Sequence, residues 1–193
     1  MPRFHPPLTT SREEFLKDGT DQLFREAIYA LALSVEKLLS CRNVFARILH
    51  LTPSQFAVLM GVASQQGGRG VTIKDLAAHL AMAPTHVTTE IGRLEAKGLL
   101  LKRSNEADRR SILVTLTSKG EKEVEQVSPV VREVNDILFH NISVKSLINA
   151  HVVANKIITN SADALSQARK AAASMARKAA QKNRKRQTGD SPD

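Results

Sequence analysis

A chain of 193 residues, 42% hydrophobic and 24% charged, carries enough apolar content for a packed core in one or two small domains, which excludes a wholly disordered protein. Lys and Arg number 28 against 19 Asp and Glu, a formal charge of +9, so a polyanion is the first partner to consider. One cysteine excludes an intrachain disulfide, and charges interrupt every apolar run before membrane-spanning length; the expectation is a cytoplasmic protein with no membrane partner.

Residues 1–19 read as an N-terminal arm, prolines first and then Thr10-Ser-Arg-Glu13, a capping-box pattern that predicts a short helix. From Asp21 to about Leu49, Phe24, Ile28, Leu31, Val35, Leu38, Phe45 and Leu49 recur at steps of three and four, with Arg42 interrupting. One long amphipathic helix follows from that period. Thr52-Pro53 predicts an N-cap and first turn for a second helix, buried through Phe56, Leu59, Met60 and Ala63 and closed by Gln65-Gln-Gly-Gly-Arg-Gly70.

Val71-Thr72 reads as a very short strand, and Thr72 with Asp75 caps a third helix with Ile73, Leu76, Ala77 and Leu80 inward. After Ala81-Met82-Ala83, Pro84 starts a fourth helix with Val87, Ile91 and Leu94 inward, which leaves Thr85, His86, Thr89, Glu90 and Arg93 outward. Gly98 ends it. Leu99–Arg103 and Ser111–Leu116 have strand character around a polar tip, with Ile112, Val114 and Leu116 on one face. The helical period returns at Val124, Val127, Val131, Val134 and Leu138, where Pro129 predicts a bend or a join. Leu147, His151, Ala154, Ile158, Ser161 and Leu165 trace a last helical face.

Two helices joined by a three-residue turn and followed by a hairpin describe a winged helix-turn-helix, in a fold that is mainly α with a small β-hairpin wing. The second helix of such a motif enters the major groove. Thr85, His86 and Thr89 suit bases or phosphates there, and Arg93 reaches a phosphate; a solvated helix face is the other reading. An arginine at the hairpin tip suits the minor groove, with the Asp108 carboxylate two residues before Arg110 holding its guanidinium; the other reading is a solvated turn.

The runs Val71-Thr-Ile-Lys-Asp-Leu-Ala-Ala-His-Leu80, Val87-Thr, Gly92-Arg-Leu-Glu-Ala-Lys-Gly-Leu99, Asp108-Arg-Arg110 and Thr115-Leu-Thr-Ser-Lys-Gly120 resemble the MarR family of bacterial winged-helix regulators, from about Thr20 to Leu165. The resemblance implies dimerisation helices at 20–50 and 118–166 around a DNA-binding domain at 51–117. It also implies double-stranded DNA and a second copy of the chain as partners, and a small-molecule effector. Recognition residues carried over by motif are Thr85, His86, Thr89 and Arg93, with Asp108 and Arg110 as the wing pair and Arg109 in a phosphate role. Three residues depart from the family pattern: Ala81 where the turn usually has Gly, Ala83 where Ser or Asp usually caps, and Asn105 where an acid is frequent.

The expected function is a sequence-specific transcriptional regulator, a repressor released by a small, possibly aromatic, acid. The alternative is an architectural DNA-binding protein using the wing and a basic C-terminal tail, 167–193. That tail holds eight Lys and Arg against two Asp, or +6 of the +9, and reads either as a solubilising extension or as added phosphate contact. Arg42 is a candidate for meeting an anionic effector, against a reading in which its stem simply snorkels. Cys41 reads as structural rather than redox-active. Scattered histidines show no metal-ligand spacing, and no phosphate-cradling or nucleophile motif is present, so no metal, no cofactor and no enzymatic activity are expected.

Overall fold

The computed structural model describes residues 4–108 and 110–188, with side chains to residue 181. In chain order these are a 3-10 turn (Glu13–Phe15), α1 (Gln22–Ile48), α2 (Pro53–Gln65), β1 (Val71–Thr72), α3 (Ile73–Leu80), α4 (Pro84–Ala96), β2 (Leu100–Ser104), β3 (Ile112–Leu116), α5 (Ser118–Leu138) and α6 (Val144–Thr188). One compact unit ends at Leu138 and a second begins at Phe139.

Helix α2 is the hub of the first unit. Thr52 starts it with a reciprocal cap: its hydroxyl accepts the Gln55 N–H at 3.2 Å, and Gln55 Oε1 accepts the Thr52 N–H at 3.2 Å. Phe56 and Leu59 are buried as the periodicity predicts, but Val58 and Val62 are wholly buried too, whereas Met60 and Ala63 are only half-buried. A single inward stripe does not describe this helix, because α1, α3, α4, α5 and β3 surround it.

The three strands form an antiparallel sheet in the order β1-β3-β2, with Val71 opposite Val114 and Leu100 through Ser104 opposite Leu116 through Ile112. Gln66 Oε1 accepts the Leu116 N–H at 2.8 Å and ties the sheet to the end of α2. Val114 is buried, but Ile112, expected on the same inner face, is 44% exposed. Strand β1 ends at Thr72, opposite Leu113, so no strand covers Ile112 on that side. At the start of α5 the Thr117 hydroxyl donates to the Gly98 carbonyl at 2.6 Å and accepts the Gly120 N–H at 3.0 Å. A Cβ on Gly120 would collide with the Leu99 carbonyl oxygen, which explains a glycine in the first turn of a helix.

Of the bend or join expected at Pro129, the join is not formed, since helix α5 runs through it as one element. Pro129 leaves the Glu125 carbonyl without its helical donor, but both residues are exposed, where water substitutes. The apolar stripe of α1 is covered only at its end: Phe45 and Leu49 are buried, whereas Ile28, Leu31, Val35 and Leu38 are each at least 40% exposed.

The N-terminal arm folds back on the start of α1. The capping box expected at Thr10–Glu13 is not formed; Arg12 occupies the N-cap position of the 3-10 turn and makes no side-chain cap bond. Phe15 instead stacks on Phe24 with ring centroids 5.2 Å apart. The fully buried Asp21 holds the arm: its Oδ2 accepts the Thr9 hydroxyl at 2.6 Å and the Thr9 backbone N–H, and Arg25 Nη2 lies 3.3 Å from Oδ1.

In the second unit the Ser143 hydroxyl accepts the Ser146 N–H at 3.1 Å and begins α6, 45 residues that span about 68 Å at the usual helical rise. Leu147, Ile158 and Leu165, from the predicted face, are exposed. No described helix is long and apolar enough to cross a membrane.

The hydrogen bonds from Thr9, hydroxyl first, and the charge of Arg25 hold the Asp21 carboxyl below its ordinary pKa against the opposing effect of burial. A lowered folded-state pKa contributes stability that is complete above the unfolded value of about 3.9 and fades as pH falls through the folded value. Urea unfolding of wild type and Asp21→Asn should therefore differ by a constant amount near neutrality and converge below about pH 4. A difference that persists unchanged to pH 3 would contradict this.

Candidate nucleic-acid interface

Thr72 opens the helix-turn-helix by accepting the Asp75 N–H at 3.1 Å. Helix α3 closes on Ala81 in the left-handed region, φ 50° and ψ 39°, with the Met82 N–H donating to the Ala77 carbonyl at 3.0 Å. The turn thus keeps its geometry without its usual glycine, at a steric cost of about 1 kcal/mol. Ala83 is extended and makes no side-chain cap, and Pro84 takes the first helical position. The first N–H groups of α4 consequently point outward with no side-chain acceptor.

Val87, Ile91 and Leu94 are wholly buried and fix the roll of α4. Thr85, His86, Thr89 and Arg93 are exposed on its other side, joined by Thr88, which the sequence pattern does not single out. The Thr89 hydroxyl donates to the Thr85 carbonyl at 3.0 Å and the Thr88 hydroxyl to the Pro84 carbonyl at 2.9 Å. Each oxygen therefore presents its acceptor side outward, suited to an amino group of adenine or cytosine.

Glu90, expected outward, is buried at 2% exposure. Its Oε1 accepts Arg93 Nη1 at 2.8 Å, while Oε2 is buried without a partner among the described residues. Turning toward Val87 and Ile91 places this carboxylate under Arg93, so the arginine is held three residues from its support as well as being 58% exposed at its side chain.

The wing tip is built by Asn105 and Asp108. Asn105 Nδ2 donates to Ser111 Oγ at 2.8 Å and its Oδ1 accepts the Ala107 N–H at 3.1 Å, a pairing that needs a donor and an acceptor and that an acid cannot make. Asp108 Oδ1 accepts the backbone N–H of Arg110 at 3.1 Å. The expected bond from Asp108 to the Arg110 guanidinium is not made: the carboxylate shapes the turn, and the Arg110 side chain extends into solvent. Arg109 lies outside the described residues.

Two further cations flank the wing. Arg69 and Arg103 line an open groove of about 640 Å³ between the Gly68–Gly70 loop and the wing segment Arg103–Ala107. Their sequence signal was a Gly-Gly-Arg-Gly run that reads only as a loop, because its contact with the wing is tertiary. Away from this face, Arg42 is half-buried with Nε buried and unbonded among the described residues. A cavity of about 380 Å³ between α1 and the start of α2 is lined by Ser40, Asn43, Arg47, Leu51 and Pro53, thus by Arg47 rather than Arg42. Cys41 packs half-buried against the core.

Residues 50–111, nearly the whole helix-turn-helix and wing, match the model of the MarR family. That match covers about a third of the chain. Among similar proteins, BadR of Rhodopseudomonas palustris, a transcriptional activatory protein, is 39% identical over 70 residues, 36% of this chain and 40% of BadR. The chain therefore spans less than half of that relative's length. Among solved structures, Bordetella bronchiseptica BpsR, described for regulation of its DNA binding by 6-hydroxynicotinic acid, superposes with a TM-score of 0.55 at 25% identity, covering 68% of this chain and 98% of BpsR. A cysteine-to-serine mutant of Escherichia coli MarR complexed with operator DNA superposes at 0.56 with 24% identity, over 70% of this chain and 98% of that protein.

Substitutions on three residues of this segment, Ala81, Arg93 and His86, probe it. Ala81→Gly should stabilise the helix-turn-helix by only about 0–0.5 kcal/mol, relief of about 1 kcal/mol of left-handed strain less the extra freedom of the unfolded chain, read as a Tm no more than about 2 °C higher. Arg93→Ala should cost about 1–2 kcal/mol of stability by leaving Glu90 buried without its partner, and Glu90→Gln in the same chain should recover most of it. His86→Ala, with no such partner, should leave Tm unchanged.

Proposed function

We propose that this chain is a homodimeric, sequence-specific DNA-binding transcriptional regulator whose affinity for DNA is set by a small anionic effector. The carrying observation is the roll of α4: burial of Val87, Ile91 and Leu94 turns Thr85, His86, Thr89 and Arg93 outward beside a wing that ends in Arg110. An α-helix fits the major groove, and a ribbon arginine fits the narrower minor groove beside it. The uncapped N-terminus of α4 adds backbone N–H donors for a phosphate, Arg109 adds a phosphate contact by its place in the wing, and Arg69 and Arg103 extend the cationic edge.

The exposed stripe of α1 supports the dimer, since Ile28, Leu31, Val35 and Leu38 form a longer apolar run than a monomer usually leaves in water. Two copies read two half-sites about one helical turn apart. For the effector, Arg42 offers a buried guanidinium nitrogen without a partner among the described residues, the kind of group that a carboxylate satisfies. The regulation of BpsR by 6-hydroxynicotinic acid supports aromatic acids as the class to screen. Nothing in the chain's chemistry calls for an enzymatic role.

Genomic fragments selected by the purified chain should be bound about 10³-fold or more tightly than random duplex at physiological salt. Arg110→Ala should weaken binding to such a fragment by roughly ten- to a hundredfold. Equal affinity for selected and random DNA would instead favour an architectural role, and an Arg110→Ala chain with full activity would remove the wing from the interface.

A further inference from the structure

Helix α6 does not end where its apolar face does. That face closes at Leu165, yet the helix continues to Thr188. The unit Arg-Lys-Ala-Ala occurs at 169–172 and again at 177–180, and Lys182, Arg184, Lys185 and Arg186 follow. Between Arg169 and Thr188 there are eight Lys and Arg and no Asp or Glu.

A spacing of eight residues turns a helix by about 80°, so both doublets share one side, about 12 Å apart along the axis. Arg169, Lys170, Arg177 and Lys178 are all exposed, and none of them forms an ion pair among the described residues. The other side carries Ala168, Ala172 and Ala179. Eight like charges repel one another along a helix that intrinsic propensity favours but no packed neighbour has been shown to hold, so its neutralisation by a polyanion would stabilise it. The alanine side also chooses between polyanions. An interfacial membrane helix needs Leu, Phe or Trp to enter the acyl region, and this side offers only Met175 beyond Leu165.

We propose that α6 from Arg169 onward is a helical DNA-binding arm that contacts phosphates without reading sequence. It rests on the DNA-binding reading above and adds a second surface to it. The core and wing supply the site preference, and the arm supplies a salt-sensitive share of the affinity through counterion release.

The test uses the full chain with Arg169, Lys170, Arg177 and Lys178 each replaced by Gln, a good helix former, with circular dichroism confirming that helix content is retained. Affinity is measured from 50 to 200 mM salt on a genomic fragment selected by the wild type and on random duplex of equal length. The magnitude of the slope of log K against log salt should fall by about 0.9 for each phosphate that the arm no longer neutralises, or about two to four in all, with binding roughly ten- to a hundredfold weaker and the ratio between the two duplexes unchanged. Arg169→Lys with Arg177→Lys should keep the wild-type slope.

A wild type that binds DNA and a Gln variant with an unchanged slope would overturn the arm and leave the DNA-binding reading standing. A wild type that binds neither duplex would overturn both. Loss of binding to phosphatidylglycerol vesicles with an unchanged DNA slope would assign the basic helix to a membrane and overturn the proposal.

Discussion

Packing of α2 against α1, α3, α4, α5 and β3 is the constraint on which the rest of the first unit depends. Because Phe56, Val58, Leu59 and Val62 all point into packed surroundings, α3 and α4 must lie against α2 with their own apolar residues turned to it. Burying each such side chain contributes about 1.5–3 kcal/mol, and rotating α4 by even one residue would put Val87, Ile91 and Leu94 into water. The outward orientation of Thr85, His86 and Thr89 follows from that packing and needs no contact of its own. Gln66, at the end of the same helix, bonds the Leu116 N–H and so carries the constraint into the sheet and the wing.

Glu90 makes the link between core and surface electrostatic as well as steric. A carboxylate at 2% exposure is costly unless compensated, and its one bonded oxygen is compensated by Arg93. That guanidinium sits on the face proposed to meet DNA, so a phosphate arriving at Arg93 competes with, or bridges to, a group that the fold itself requires. The arginine is pre-positioned and loses less side-chain freedom on binding than a solvated one would. The wing tip achieves order differently: Asn105 and Asp108 fix backbone, and Arg110 keeps its rotamer freedom.

Helix order, the very short first strand, the Thr52 and Thr72 caps, the strained turn at Ala81 and the hairpin were legible in the sequence because each is written in local chemistry: a period, a capping side chain, a missing glycine. What escaped was tertiary. Glu90 looks like a surface residue by type, and only the packing of α4 shows that its direction lies beneath Arg93. Ile112 alternates correctly with Val114 but outruns the strand that would cover it. Val58 and Val62 fall off the expected stripe because a helix packed against five neighbours buries more than one face. Asp108 lies close enough in sequence to Arg110 for either of two bonds, and loop geometry selected the backbone one. The groove between Arg69 and Arg103 joins segments more than thirty residues apart, which no local pattern reports.

The distribution of charge separates two tasks that one basic surface would confound. With +6 of the +9 in residues 167–193, the winged domain and its helices carry little excess charge. A weakly charged reading head gains little from non-specific DNA, so a larger share of its binding free energy depends on base contacts and groove shape, and discrimination is preserved. On the proposed reading, concentrating cations on a separate helix would add affinity and on-rate through contacts that do not read sequence. A tethered cationic segment also raises the local DNA concentration seen by the head, so the two contributions multiply through effective concentration without sharing contacts. On the proposed arrangement ionic strength would act mainly through α6, whereas sequence would act through α4 and the wing.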